Sequence, residues 1–139
     1  MNLPINKSTL LIVLAMLVGT FFAAGSACAA DNVVKVAKKD GVGRYLTDIK
    51  GMTLYCYKND SAGKSTCLGE CVVKWPIYYR AVVVVADGLR KSKFKIFMRI
   101  DGKKQTTYKG RPLYYYSDDK VPGDMNGQGV DNVWFIVAP

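Results

Sequence analysis

Histidine is absent from all 139 residues. That removes imidazole acid–base catalysis, histidine-ligated zinc and a histidine-held haem. The chain also lacks the Cys-x-x-Cys-His run that attaches c-type haem, so covalent haem of that kind is excluded as well. Acidic residues are scarce, 11 against 20 Lys and Arg, which leaves a formal net charge of +9. Such a balance draws a protein towards anionic partners: lipid head groups, acidic polysaccharide or nucleic acid. Solubility is the plainer explanation, and charge by itself says nothing about the fold. No segment of the chain carries a convincing helical period. Charge is also missing locally, with no ionisable side chain between Lys7 and Asp31 except the thiol of Cys28.

That uncharged stretch has the layout of a secretory signal over residues 1–30: a basic start, the apolar run "STLLIVLAMLVGTFFAA", and the small residues "GSACAA". Cleavage after Ala29 or Ala30 fits best. Lipid attachment at Cys28 is a second reading, although "GSAC" places Gly25 where a lipobox prefers a branched apolar residue. An uncleaved anchor is the third, because the stretch could just span a bilayer, but the small-residue end argues against it. The expectation is an exported protein of the periplasm or cell surface, free or lipid-anchored, with no transmembrane helix in its mature form. Residues 31–139 then make one domain.

Within that domain the pattern is β. "NVVKVAKK" reads as a first strand. "RYLTD" and "MTLYCY" read as hairpin arms turning through "IKG", with Gly51 free to take positive φ. "TCLGECVVKWP" reads as a short helical turn or a cross-linked loop stopped by Pro76. "IYYRAVVVV" is β-branched and aromatic enough for a strand. "KFKIFMRI" alternates most clearly: Phe94, Ile96, Met98 and Ile100 point one way, and Lys93, Lys95, Phe97 and Arg99 the other. "DG" at Asp101–Gly102 turns the chain back. "QTTYKGRPLYYY" forms a second hairpin, and "VWFIVA" closes as a strand.

The two hairpins share a written element. "GMTLYCYKND" at Gly51–Asp60 returns as "GRPLYYYSDD" at Gly110–Asp119. At one constant offset Lys50, Gly51, Leu54, Tyr55, Tyr57, Asp60, Trp75 and Ile77 meet Lys109, Gly110, Leu113, Tyr114, Tyr116, Asp119, Trp134 and Ile136. This is an internal duplication. It predicts a mainly β single domain of two pseudo-symmetric hairpin repeats, about 43–87 and 94–138.

These residues resemble the bacterial secreted-repeat family, predicted lipoproteins with a Tyr-x-aromatic-x-x-Asp motif. Both motif copies are present, with the Cys67–Cys71 pair before "WP" and the "PGDMNGQG" loop. Cys56 departs from the pattern, standing where the family usually has an apolar or aromatic residue. The resemblance implies no established activity.

Several groups are candidates for chemistry. In a strand Tyr55 and Tyr57 share one face, as do Tyr114 and Tyr116. With Trp75 and Trp134 they are expected to fill the space beneath the sheet, while Asp60 and Asp119 cap the loops that follow. The competing reading gathers the same residues into a ligand groove. A catalytic Asp60–Asp119 carboxylate pair is disfavoured, since nothing in the sequence brings the two together. Cys67 and Cys71, close together in an exported domain, are expected to form a disulfide. The alternatives are a thiolate metal site or redox exchange that recruits the odd thiol, Cys56. Asp118, Asp119, Asp124, Asn126 and Asp131 offer hard oxygens on a Gly-rich loop, as Ca²⁺ requires, though without EF-hand spacing. Lys93, Lys95 and Arg99 are expected to line an exposed basic face around Phe97, either for an anionic glycan or lipid or simply to guard an edge strand. No cofactor is expected, and no nucleic-acid-binding motif is present. The function expected is a non-catalytic envelope module that binds an anionic surface, a glycan or another envelope protein. The alternative is an envelope metal-handling or redox accessory protein built on Cys56, Cys67 and Cys71.

Overall fold

A computed structural model describes residues 33–139. The expected signal sequence, its expected cleavage site and Cys28 lie outside the described residues. Among those residues no helix is long and apolar enough to cross a membrane.

The domain is mainly β and is built twice. Strands β1 (Val33–Lys39) and β2 (Gly43–Asp48) form an antiparallel hairpin, with Val34 opposite Asp48 and Val36 opposite Leu46. After a short third strand, β3 (Tyr55–Tyr57), the chain enters the short helix α1 (Glu70–Lys74) and the short strand β4 (Val84–Val85). The second hairpin, β5 (Phe94–Met98) with β6 (Lys104–Tyr108), repeats the first register: Phe94 faces Tyr108 and Ile96 faces Thr106. A short β7 (Arg111–Pro112) and a closing β8 (Trp134–Ile136) complete the chain.

Both hairpins turn into their motif at a left-handed glycine, Gly51 at φ 85° and Gly110 at φ 84°, a conformation that costs a residue with a Cβ. Strand "IYYRAVVVV" forms only in part. Ile77 makes an isolated bridge to Tyr114 and β4 keeps two residues, because Val82 and Val84 face solvent and the intervening backbone bonds to the second repeat instead.

The repeats interlock rather than sit side by side. At the centre Tyr55 and Tyr114 exchange reciprocal backbone bonds of 2.8 and 2.9 Å. Leu54 accepts from the amide of Val137, near the end of repeat 2, and Leu113 accepts from Tyr78, near the end of repeat 1. Val137 and Tyr78 in turn accept from Leu46 and Thr106. Each hairpin is therefore extended by the tail of the other copy, which generates a pseudo-twofold axis between Tyr55 and Tyr114.

Alternation along the motif strands sends side chains into two cores. Leu54, Cys56 and Leu113 join Val34, Leu46, Tyr78 and Phe94 in an aliphatic core. Tyr55, Tyr114 and Tyr116 join Trp75, Trp134 and Cys67 in an aromatic one.

Candidate functional site

The repeated motif converges on the pseudo-twofold axis, and its polar groups pair across it. Tyr55 Oη donates to Asp119 Oδ2 at 2.7 Å, and Tyr114 Oη donates to Asp60 Oδ2 at 2.6 Å. Each tyrosine thus uses the aspartate of the other copy. The second carboxylate oxygen of each aspartate caps its own loop, accepting from the Thr66 amide at 2.7 Å and from the Asn126 amide at 2.9 Å. Burial, then the Asp119 carboxylate, pushes the Tyr55 phenol well above the usual range. Burial and Asp60 do the same to Tyr114.

Around these bonds the rings form a continuous stack. Trp75 and Trp134 lie parallel at 3.8 Å between centroids, flanked by Tyr116 on Trp75 at 4.2 Å and Tyr57 on Trp134 at 4.4 Å. The flanking partners are again exchanged between repeats. Tyr55 and Tyr114 meet the indoles edge-on at 5.6 and 5.1 Å. Both tryptophans, Tyr55 and Tyr114 are buried. These four rings are therefore packed away from solvent, Tyr57 is half-buried, and Asp60 and Asp119 are each occupied by a phenol and a backbone amide.

Cys67 and Cys71 are joined by a disulfide with Cα atoms 5.3 Å apart. It ties buried Cys67 to the first turn of α1, whose last turn delivers Trp75 into the stack. Cys56 is the free cysteine of the described residues and is buried in the other core. Burial pushes its thiol up, against the pull of the Arg111 guanidinium, whose Nη1 lies 3.5 Å from the sulfur. Cys56 on one side and the disulfide on the other side of the motif strands do not gather into a three-sulfur site.

The Gly- and Asp-rich loop also turns its oxygens inward on itself. Asp124 Oδ2 accepts from the amides of Lys120 and Val121, and Asn126 Nδ2 donates to the Asp118 carbonyl. Asp131 sits in a left-handed backbone at φ 52°. Among the described residues no three His, Cys, Asp or Glu side chains are grouped to hold a metal ion.

Arg99 corrects the expected basic face. It points inward and is buried, while Lys93 and Lys95 stay exposed. Its guanidinium donates to Ser65 Oγ at 2.8 Å, Gln105 Oε1 at 2.5 Å and the Cys67 carbonyl at 2.6 Å, and grips Asp101 at 3.1 Å. Asp101 is held below the usual carboxylate range by this partner. Arg99 lies one residue past the end of β5, where it bonds Gln105, the register partner of Phe97, and the segment carrying Ser65 and Cys67 covers it. Since Tyr114 gives its proton to Asp60, Ser65 donates to Tyr114 at 2.6 Å, and a relay runs from Arg99 to the motif. Nothing in the sequence assigns these roles to Ser65, Gln105 and Gly127, because contacts far apart along the chain leave no local pattern. Gly127 bears on the stack directly: a Cβ there would lie 2.9 Å from the Trp75 ring and from Tyr55.

The class these features define is a duplicated β protein whose two motif copies complete one another's core. The family model described as a secreted repeat of unknown function matches residues 36–78 and 95–138, and the chain belongs to that family. The description is consistent with export. No curated protein and no solved structure matches the chain.

Proposed function

We propose that the protein is a non-catalytic binding or interaction module of the cell envelope, exported to the periplasm or cell surface. The observation that carries this reading is the fate of the motif's reactive groups. The first phenol of each motif copy, Tyr55 and Tyr114, and both carboxylates bond across the repeat interface, and each carboxylate also caps its own loop, so the element with the strongest chemical signature serves as scaffold. What remains for recognition is the surface, which is basic and in places apolar. The alternative of a metal or redox site on Cys56, Cys67 and Cys71 has no supporting contact, since the disulfide and the free thiol belong to different cores.

The test is fractionation of producing cells followed by intact mass of the recovered protein, native and denatured. The expected result is recovery with the envelope, one disulfide, one thiol that alkylates only after unfolding, and no native-only mass. Recovery in the cytoplasm, or three thiols with a metal mass, would overturn the reading.

A further inference from the structure

The second hairpin differs from the first in a way the scaffold does not require. The row Phe94, Ile96, Met98, Ile100 occupies the positions that Val34, Val36, Lys38 and Asp40 hold in the first hairpin. Where copy one becomes polar towards its turn, copy two stays apolar, and exposure climbs: Ile96 43%, Met98 60%, Ile100 87%. Only Phe94 of that row is buried. The outer edge of β1 is covered by β4, whereas β5 is the edge of its own sheet. Met98 and Ile100 at this hairpin tip thus leave most of their apolar surface in water.

The unpaired charge along that hairpin is basic. Between Asp87 and Asp118 the only acid is Asp101, and Arg99 already holds it. Lys95, Lys103 and Lys104 flank the row and are exposed. Beside it a groove of about 460 Å³ runs between Phe97–Ile100 and the loop carrying Lys64 and Leu68. An apolar wedge ringed by lysines matches one surface in particular. Lysines meet anionic head groups, and the wedge reaches the acyl boundary beneath them. An acidic polysaccharide would satisfy the lysines and leave Met98 and Ile100 in water. A second copy of a chain with net charge +9 would bring like charge to the same face.

We infer that the β5–β6 hairpin docks the protein on an anionic lipid bilayer, with Met98 and Ile100 inserted and Lys95, Lys103 and Lys104 at the head groups. This rests on the envelope-module reading and names its ligand. The full chain, as exported by producing cells, is to be sedimented with vesicles of phosphatidylcholine alone or mixed with phosphatidylglycerol. Binding to the mixed vesicles that weakens with salt is expected. So is a loss of about tenfold or more in Lys103→Glu/Lys104→Glu and in Met98→Asp/Ile100→Asp, with melting temperatures unchanged because these side chains are exposed. Ile100→Trp supplies a readout independent of any other attachment: its emission is quenched by spin-labelled lipid in anionic vesicles, whereas the two buried native tryptophans are not. Equal partitioning of the wild type and the Asp variant, absence of quenching at position 100, or retention on acidic polysaccharide without vesicle binding would overturn the assignment. Recovery with envelopes irrespective of the hairpin would do so too, while leaving the envelope-module reading intact.

Discussion

Two buried tyrosines show how the same side chain carries opposite energetics. Tyr55 donates to the buried Asp119 carboxylate and accepts from the Gly127 amide at 3.3 Å. Deleting its hydroxyl leaves both partners short of a bond, which costs about 1–3 kcal/mol. Tyr78 is equally buried, yet its hydroxyl is the one buried side-chain polar atom without a partner among the described residues. Its ring is well placed, edge-on to Tyr115 at 5.6 Å and under the Arg80 guanidinium at 5.0 Å, so the ring and not the hydroxyl is what packs. Denaturant titration is expected to show Tyr55→Phe destabilised and Tyr78→Phe stabilised by about 1 kcal/mol, the desolvation cost of an unpaired hydroxyl. Loss of stability in Tyr78→Phe would mean that its hydroxyl has a partner after all.

At the scale of elements, the loop after the second motif is a structural part of the aromatic core rather than a connector. Gly127 lies flat against Trp75, and Gln128 Oε1 accepts from the Ile136 amide at 2.7 Å, pinning the loop to β8. The "PGDMNGQG" spelling was visible in the sequence, and oxygen ligands for Ca²⁺ were one reading of it. In the structure the Asp119 and Asp124 carboxylates accept from amides of the same loop, because a polar loop that folds back over a core must satisfy its amides locally. Gly127→Ala is expected to cost about 1–3 kcal/mol as an overpacking substitution, and near-ultraviolet circular dichroism should report a disturbed indole pair. A wild-type spectrum and melting temperature would show that the loop can lift away from the stack.

For the whole molecule, interlocking of the repeats couples distant groups into one transition. Burial, followed by neighbouring carboxylates, raises the phenols of Tyr55, Tyr114 and Tyr115, at Tyr115 against the opposing pull of Arg80, and burial raises Tyr78 to about 12. Unfolded tyrosine titrates near 10. The fold therefore favours the protonated phenols. This stability is complete below about pH 10 and is lost as pH rises towards and past the folded values. Absorbance titration of the 9 tyrosines should show an early group ionising normally and a buried group released only as the protein unfolds. Normal titration of all of them while the circular dichroism stays native would contradict the buried, cross-bonded motif.

Much was legible before any coordinates, and the reason is the range of the interactions involved. The duplication, the turn at Asp101–Gly102, the left-handed Gly51, the Cys67–Cys71 bridge and the division of Tyr55 and Leu54 onto opposite faces all follow from local periodicity, turn chemistry or short covalent reach. By contrast, "RYLTD" pairs with β1 and the Tyr55–Tyr57 strand with β8, so the hairpin expected between "RYLTD" and "MTLYCY" shrinks to one bridge at Thr47 and Thr53. Period 2 says which side chains share a face, but not which face is covered. Ile96, Met98 and Ile100 read as a row that any sheet could bury, and they stay exposed because among the described residues no element packs over that end of the hairpin's face. Arg99 reads as surface charge, and only the proximity of Ser65, Gln105 and the Cys67 carbonyl makes its burial tolerable. The exchange of Tyr55 and Tyr114 for the aspartates of the opposite copies belongs to the same class. A repeat states its own residues; which copy each one serves is decided when the two chains of strands cross, because hydrogen bonds and ring contacts depend on distance in space and not along the sequence.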